Sequence, residues 1–186
     1  MSILDIRVLG DPVLREETKP VVAVTDELRE LIKNMFETMD VAKGIGLAAP
    51  QVGRTERVAV IGVDKDRFAI INPEIVEFDA RSAKAEEGCL SIPDVYGDVE
   101  RPAKVRVRAT DLEGKEFEVD ADGLFARCLQ HEIDHLHGKL FLDYLSVLKR
   151  RSALAKWGKE KDKYPGFIRK LDIDPSRTHE HPDEEL

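Results

Sequence analysis

The stretch His131-Glu132-Ile133-Asp134-His135 constrains this chain more than any other. Residues four apart on a helix project from one face, so two imidazoles at i and i+4 can grip a single ion. A glutamate beside the first histidine stays near that ion without binding it, where it can accept a proton from a water. The alternative is a helix that carries two surface histidines. A hydrolytic metal site needs more: a third protein ligand and one open coordination position.

The other histidines are His137, His179 and His181. His137 lies about 240° around the helix from His131 and points away. The other two lie in an acidic, proline-containing C-terminal stretch. Cys128 shares the histidines' stripe, but its separation from His135 is roughly 10 Å of helix rise, too long for one ion. Cys89 remains, in Glu86-Glu87-Gly88-Cys89-Leu90-Ser91, a thiol presented beside a glycine where backbone can approach closely. Read alone, a lone cysteine is more often a small buried hydrophobe. A further segment, Gly44-Ile45-Gly46-Leu47-Ala48-Ala49-Pro50-Gln51, is built of small residues beside which another backbone could lie, and it ends in an amide able to donate to an oxyanion.

Taken in order, these three segments resemble the signatures of the peptide deformylase family: G-φ-G-φ-A-A-x-Q at Gly44 to Gln51, E-G-C-φ-S at Glu87 to Ser91, and H-E-φ-D-H at His131 to His135. The likeness runs from the Leu9-Gly10-Asp11-Pro12 opening to the Gly138–Leu145 run. The short spacing between the first two motifs is that of the compact bacterial type. The resemblance implies removal of the formyl group from N-formylmethionyl nascent peptides, with release of formate. It implies metal ligands Cys89, His131 and His135, the general base Glu132, and oxyanion donors from the Gln51 side chain and the Leu90 backbone N–H. It further implies an extended substrate along Ile45 and Gly46, its methionine side chain near Ile45, Leu124 and Cys128. Glu87 and Arg101 resemble the family's carboxylate–guanidinium pair that braces the ligand loop. Arg127 stands where some members carry an aliphatic residue, which bears on the side-chain pocket. One Fe2+ per chain is the ion implied, and an N₂S donor set also accommodates Zn2+, Ni2+ or Co2+. The rival enzyme reading is a metallopeptidase, which more often draws its third ligand from downstream. A closed structural metal site would need a fourth ligand.

Composition sets outer limits. At 186 residues the chain suits one domain. Its apolar runs are too short to span a membrane. Met1 to Asp5 lacks the pattern of a secretory signal, and two cysteines argue for a reducing, cytoplasmic setting. A net charge of −8 gives no general attraction to DNA or to an anionic membrane.

The expected fold class is α+β, antiparallel β-sheets wrapped around a central metal-bearing helix, with an N-terminal helix and a C-terminal helix. Thr25 opens the first helix, with Leu28, Leu31, Ile32, Met35, Phe36 and Met39 on its buried face and Gly44 past its end. Strands are expected over 57–63, 68–71, 74–78 and 105–109, the last turning at Glu113-Gly114 into 116–119. Asp122 is expected to cap the metal helix, 123–137, with Gly138 closing it. From Ser146 to Lys163 a last helix carries Lys149, Arg150, Arg151, Lys156, Lys159, Lys161 and Lys163. Such a face is usually just solvated, and the family resemblance raises ribosome contact through it. The catalytic domain is expected over 1–165, followed by an acidic, flexible tail over 166–186.

Overall fold

The computed structural model describes residues 2–173. Helix α1 (Asp26–Val41) begins where the Thr25 hydroxyl accepts the Leu28 N–H, with Asp26 and Glu27 at its positive end. Its buried face is the expected stripe, except that Phe36 is only partly covered and packs under the Arg67 guanidinium. The helix closes at Lys43, which takes the left-handed conformation (φ 61°) in place of Gly44. Gly44 is needed for another reason: a β-carbon there would stand 2.7 Å from the Leu90 side chain.

Five strands form the main antiparallel sheet, in the order β2 (Gly46–Ala48), β3 (Val58–Val63), β4 (Asp66–Phe78), β7 (Lys104–Thr110), β8 (Glu116–Asp122). The expected strands 68–71 and 74–78 are one long strand. The Asn72-Pro73 pair that reads as a break is a bulge, and Asn72 holds the Val21 backbone through both amide atoms at 2.8 Å. A separate hairpin of β5 (Ser82–Glu87) and β6 (Gly97–Pro102) was not expected. Its sequence is charged and largely exposed, so no apolar alternation marks it. Strand β1 (Ile6–Arg7) pairs with β9 (Ile168–Arg169), so strand pairing continues past residue 165. Residues 174–186, with His179 and His181, lie outside the described residues.

Helix α2 (Gly123–Leu136) crosses the concave side of the main sheet, packing Ala126, Cys128, Leu129, Ile133 and Leu136 against Ile45, Ile61, Ile70, Val105 and Val107. Asp122 sits at its N-cap position but makes no side-chain capping bond, unlike the sequence expectation. The C-terminal end is closed by the N-terminal segment. Thr18 donates both its N–H and its hydroxyl to the Leu136 carbonyl, and Gly138 (φ 68°) lies against the Arg15 carbonyl. Helix α3 (Val147–Glu160) packs through Ala153 and Trp157, and Trp157 donates to the Leu9 carbonyl. Among the described residues no helix is long and apolar enough to cross a membrane.

Two glycines make a test of this packing. Both Gly123 (φ 53°) and Gly138 are left-handed, but only at Gly138 would a β-carbon meet backbone, at 2.5 Å from Arg15 O. Gly123→Ala should cost about 1 kcal/mol from conformation alone. Gly138→Ala should cost at least about 3 kcal/mol, because the carbonyl cannot give way. Denaturant unfolding of the two variants measures the difference.

Candidate metal centre

Helix α2 and the loop after β5 supply three donors that face one point. Cys89 Sγ lies 3.4 Å from His135 Nε2, and His135 Nε2 lies 3.2 Å from His131 Nε2. All three ligand atoms fall within 4.8 Å of one another, and all three residues are buried. For bonds of ordinary length in tetrahedral geometry, the expected separations are about 3.6 Å for S···N and about 3.4 Å for N···N. The donor set therefore fits a divalent cation with borderline-soft preference.

The carboxylate that orients this group is Glu87, at the end of β5. It is fully enclosed and receives four bonds, two on each oxygen. Arg101 Nε and Arg127 Nη1 donate to Oε2, each at 2.7 Å; Arg101 Nη2 and His131 Nδ1 meet Oε1, each at 2.9 Å. Burial opposes the charge of Glu87, yet the Arg101 and His131 bonds outweigh it and hold the carboxyl far below its usual range. Engaging Nδ1 of His131 leaves Nε2 as the lone-pair nitrogen facing the cation position. Burial also opposes charge on His131, but the bonds to Cys89 and Glu87 push it up to about 10. Burial and the neighbouring His131 charge drive His135 well below its usual value.

Arg101 extends the network outwards. Its Nη1 donates to Asp134 Oδ2 at 2.8 Å, the Tyr144 hydroxyl donates to the same oxygen at 2.7 Å, and the guanidinium lies 4.6 Å from the Tyr144 ring centre. These residues line a cavity of about 550 Å³.

Glu132 stands apart. Both carboxylate oxygens are buried with no hydrogen-bond partner among the described residues, and burial pushes the group up to about 7. Gly46 makes room for it, since a β-carbon there would lie 2.5 Å from Oε1. Gln51 is also fully buried: its Oε1 accepts the Ala48 N–H at 2.8 Å, and its Nε2 reaches Ser91 Oγ at 3.2 Å and Cys89 Sγ at 3.6 Å. The Leu90 side chain packs in the core and its carbonyl accepts from Arg169. Ile45 and Cys128 meet, the thiol 3.4 Å from the Ile45 carbonyl, while Leu124 is partly exposed on the first turn of α2.

The sequence left the direction of the Arg127 side chain open. It reaches Glu87 and the carbonyls of Val99 (2.9 Å) and Ala83 (2.8 Å). Its spacing of four from His131 was the available signal. Ser91, Asp134 and Tyr144 also went unassigned; Asp134 was visible inside the histidine motif, whereas nothing local marks Tyr144.

Removing the Glu87 carboxylate strands two buried guanidiniums. Glu87→Ala should lose about 3–5 kcal/mol of stability and weaken metal binding by about 10- to 100-fold. Denaturation of the metal-free protein and equilibrium metal titration measure the two effects separately.

Comparison with known proteins agrees with this geometry. The family model described as Polypeptide deformylase matches residues 3–151. A peptide deformylase of Rhodopseudomonas palustris (strain BisB5) is 52% identical over 166 residues, covering 86% of this chain and 95% of the relative. The crystal structure of a peptide deformylase from Legionella pneumophila superposes with a TM-score of 0.83 at 48% identity, covering 87% of this chain and 97% of that one. A peptide deformylase from Synechococcus elongatus, solved in complex with actinonin, gives 0.81 at 46% identity, covering 83% and 88%. With ligand geometry, fold and sequence in agreement over most of its length, the chain belongs to the polypeptide deformylase family.

Proposed function

We propose that this protein is a metal-dependent hydrolase that removes the formyl group from the N-terminal N-formylmethionine of nascent polypeptides and releases formate. The observation that carries this reading is a buried, unpartnered carboxylate, Glu132, beside three converging donors and under the open edge of a strand. Fe2+ is the ion proposed, held by Cys89 Sγ and the Nε2 atoms of His131 and His135, with Zn2+, Ni2+ or Co2+ able to replace it. When bound, such an ion supplies Lewis acidity, lowering the pKa of a water and polarising the formyl carbonyl.

The chain's own groups account for the remaining steps. β2 is the outermost strand, and Gly62 N–H donates to the Ile45 carbonyl at 2.7 Å. Antiparallel alternation then turns the N–H and C=O of Gly46 to the outer edge, where an extended peptide can pair. Ile45, Leu124 and Cys128 flank the place proposed for the methionine side chain. Glu132, poised near neutrality by burial, takes the proton of the attacking water and returns it to the leaving amine. The formyl C–N bond breaks, giving formate and a free amino terminus. Gln51 is held by Ala48 on its carbonyl side, so its NH₂ group faces the ligand sulfur and, with the Leu90 N–H, is proposed to stabilise the oxyanion. Glu87 and Arg101 act on this chemistry only through His131.

A cytoplasmic location and ribosome contact through α3 are part of the same proposal. Lys149 is committed to Asp98, Arg150 to the Leu142 and Asp143 carbonyls, and Lys163 to Glu160. Arg151, Lys159 and Lys161 have no such partner among the described residues and offer the positive charge for a phosphate backbone.

Two outcomes are expected. Glu132→Ala should keep one metal per chain yet lose at least about 100-fold in kcat/KM for formyl-Met-Ala, and should leave Met-Ala-Ser uncleaved as the parent does. An active Glu132→Ala protein contradicts the general-base role, and peptide-bond cleavage by the parent would instead mark a metallopeptidase. Exchanging Arg151, Lys159 and Lys161 together for glutamate should weaken ribosome co-sedimentation at low salt by about tenfold or more. Hydrolysis of formyl-Met-Ala should be unchanged in that variant.

A further inference from the structure

Arg127 is a buried, charged residue of α2 that the proposed chemistry does not use. It lies one helical turn before His131, and the two side chains land on the same carboxylate. Arg127 Nη1 meets Glu87 Oε2 at 2.7 Å, and His131 Nδ1 meets Glu87 Oε1 at 2.9 Å. Glu87 is two residues before Cys89. A single carboxylate therefore joins the segment that carries the sulfur to the helix that carries both imidazoles. The other Arg127 contacts, to Ala83 O in β5 and Val99 O in β6, fix both strands of the hairpin to that helix.

Charge gives the second part of the argument. Glu87 and Asp134 on one side, Arg101 and Arg127 on the other, form a balanced cluster. With an aliphatic residue at 127 the cluster would carry one surplus negative charge, centred on the carboxylate that accepts the His131 proton. A carboxylate with more free charge draws that proton further and makes the imidazole a stronger donor to the ion. Arg127 shares Glu87's charge and so limits that donation. A lysine would keep the cation but not the planar fork needed to reach the carboxylate and two carbonyls at once.

We propose that Arg127 is a positioning residue for the metal centre: it holds the Cys89 segment in register with His131 and His135, and it tempers the His131 imidazole through Glu87. The inference rests on the metal-centre reading above, but its test does not depend on deformylation. The parent protein, Arg127→Ile and Arg127→Lys would each be loaded anaerobically with Co2+. Absorption spectra and the rate of Co2+ loss to a chelator are the readouts. Arg127→Ile should show bands shifted by the stronger imidazole donor, yet lose Co2+ about 10 to 100 times faster than the parent, because the loosened Cys89 segment outweighs the added donation. Its kcat for formyl-Met-Ala should fall with KM changed less than about twofold, as expected when only the reacting centre is altered. Arg127→Lys should fall between. Should Arg127→Ile not fold, Arg127→Lys decides alone: shifted bands and faster loss support the proposal, and parental values overturn it. If both variants fold with lowered thermal stability but parental bands and loss rates, Arg127 is only a clamp and the proposal is overturned. A parent protein that binds Co2+ yet releases no formate would sink the functional reading and leave this test intact.

Discussion

The Glu87 carboxylate, enclosed on every side and accepting two bonds on each oxygen, is the interaction on which the arrangement depends. It comes from the end of β5, and its donors come from β6 and from two successive turns of α2. The hairpin and the helix belong to different parts of the chain, and little apolar contact joins them at this point. The carboxylate supplies the connection. Each donor is itself buried, so each would be costly to leave unpaired, and the network holds only when all of its members are present. Cys89 follows two residues later and inherits its position from this junction.

The same junction explains how the site can be both buried and reactive. Within it the carboxylates of Glu87 and Asp134 are paired with the guanidiniums of Arg101 and Arg127. Glu132 has no such partner. Burial raises its pKa towards neutrality, and Gly46 leaves the room that its carboxylate occupies. One carboxylate is held ionised and structural, while the other, close by, is raised towards neutrality, where the proposed proton transfer needs it. Environment alone separates their roles.

Much of this was legible in the sequence because it follows from helical spacing and side-chain chemistry. His131 and His135 had to share a face, Cys89 was the remaining thiol able to join them, and the stripe on α1 declared its buried side. The hairpin that delivers Cys89 was not legible: Ser82 to Glu87 is polar on both faces, so no period of two appears. β2 was hidden for the opposite reason, being three small residues whose strand character comes from pairing with β3. β9 depends entirely on its partner β1, far away in sequence. Arg127 was left open because its chemistry points two ways: a long side chain at a pocket position can line the pocket or turn behind it. Which way it turns is settled by Glu87 and two strand carbonyls, and these are tertiary facts.

X-ray absorption on protein loaded anaerobically with one equivalent of Fe2+ or Zn2+ tests the central claim most directly. The account predicts one sulfur at about 2.3 Å and two imidazole nitrogens at about 2.0–2.1 Å, completed by exchangeable oxygen from solvent. A shell without sulfur, or one closed by a fourth protein donor, would contradict it.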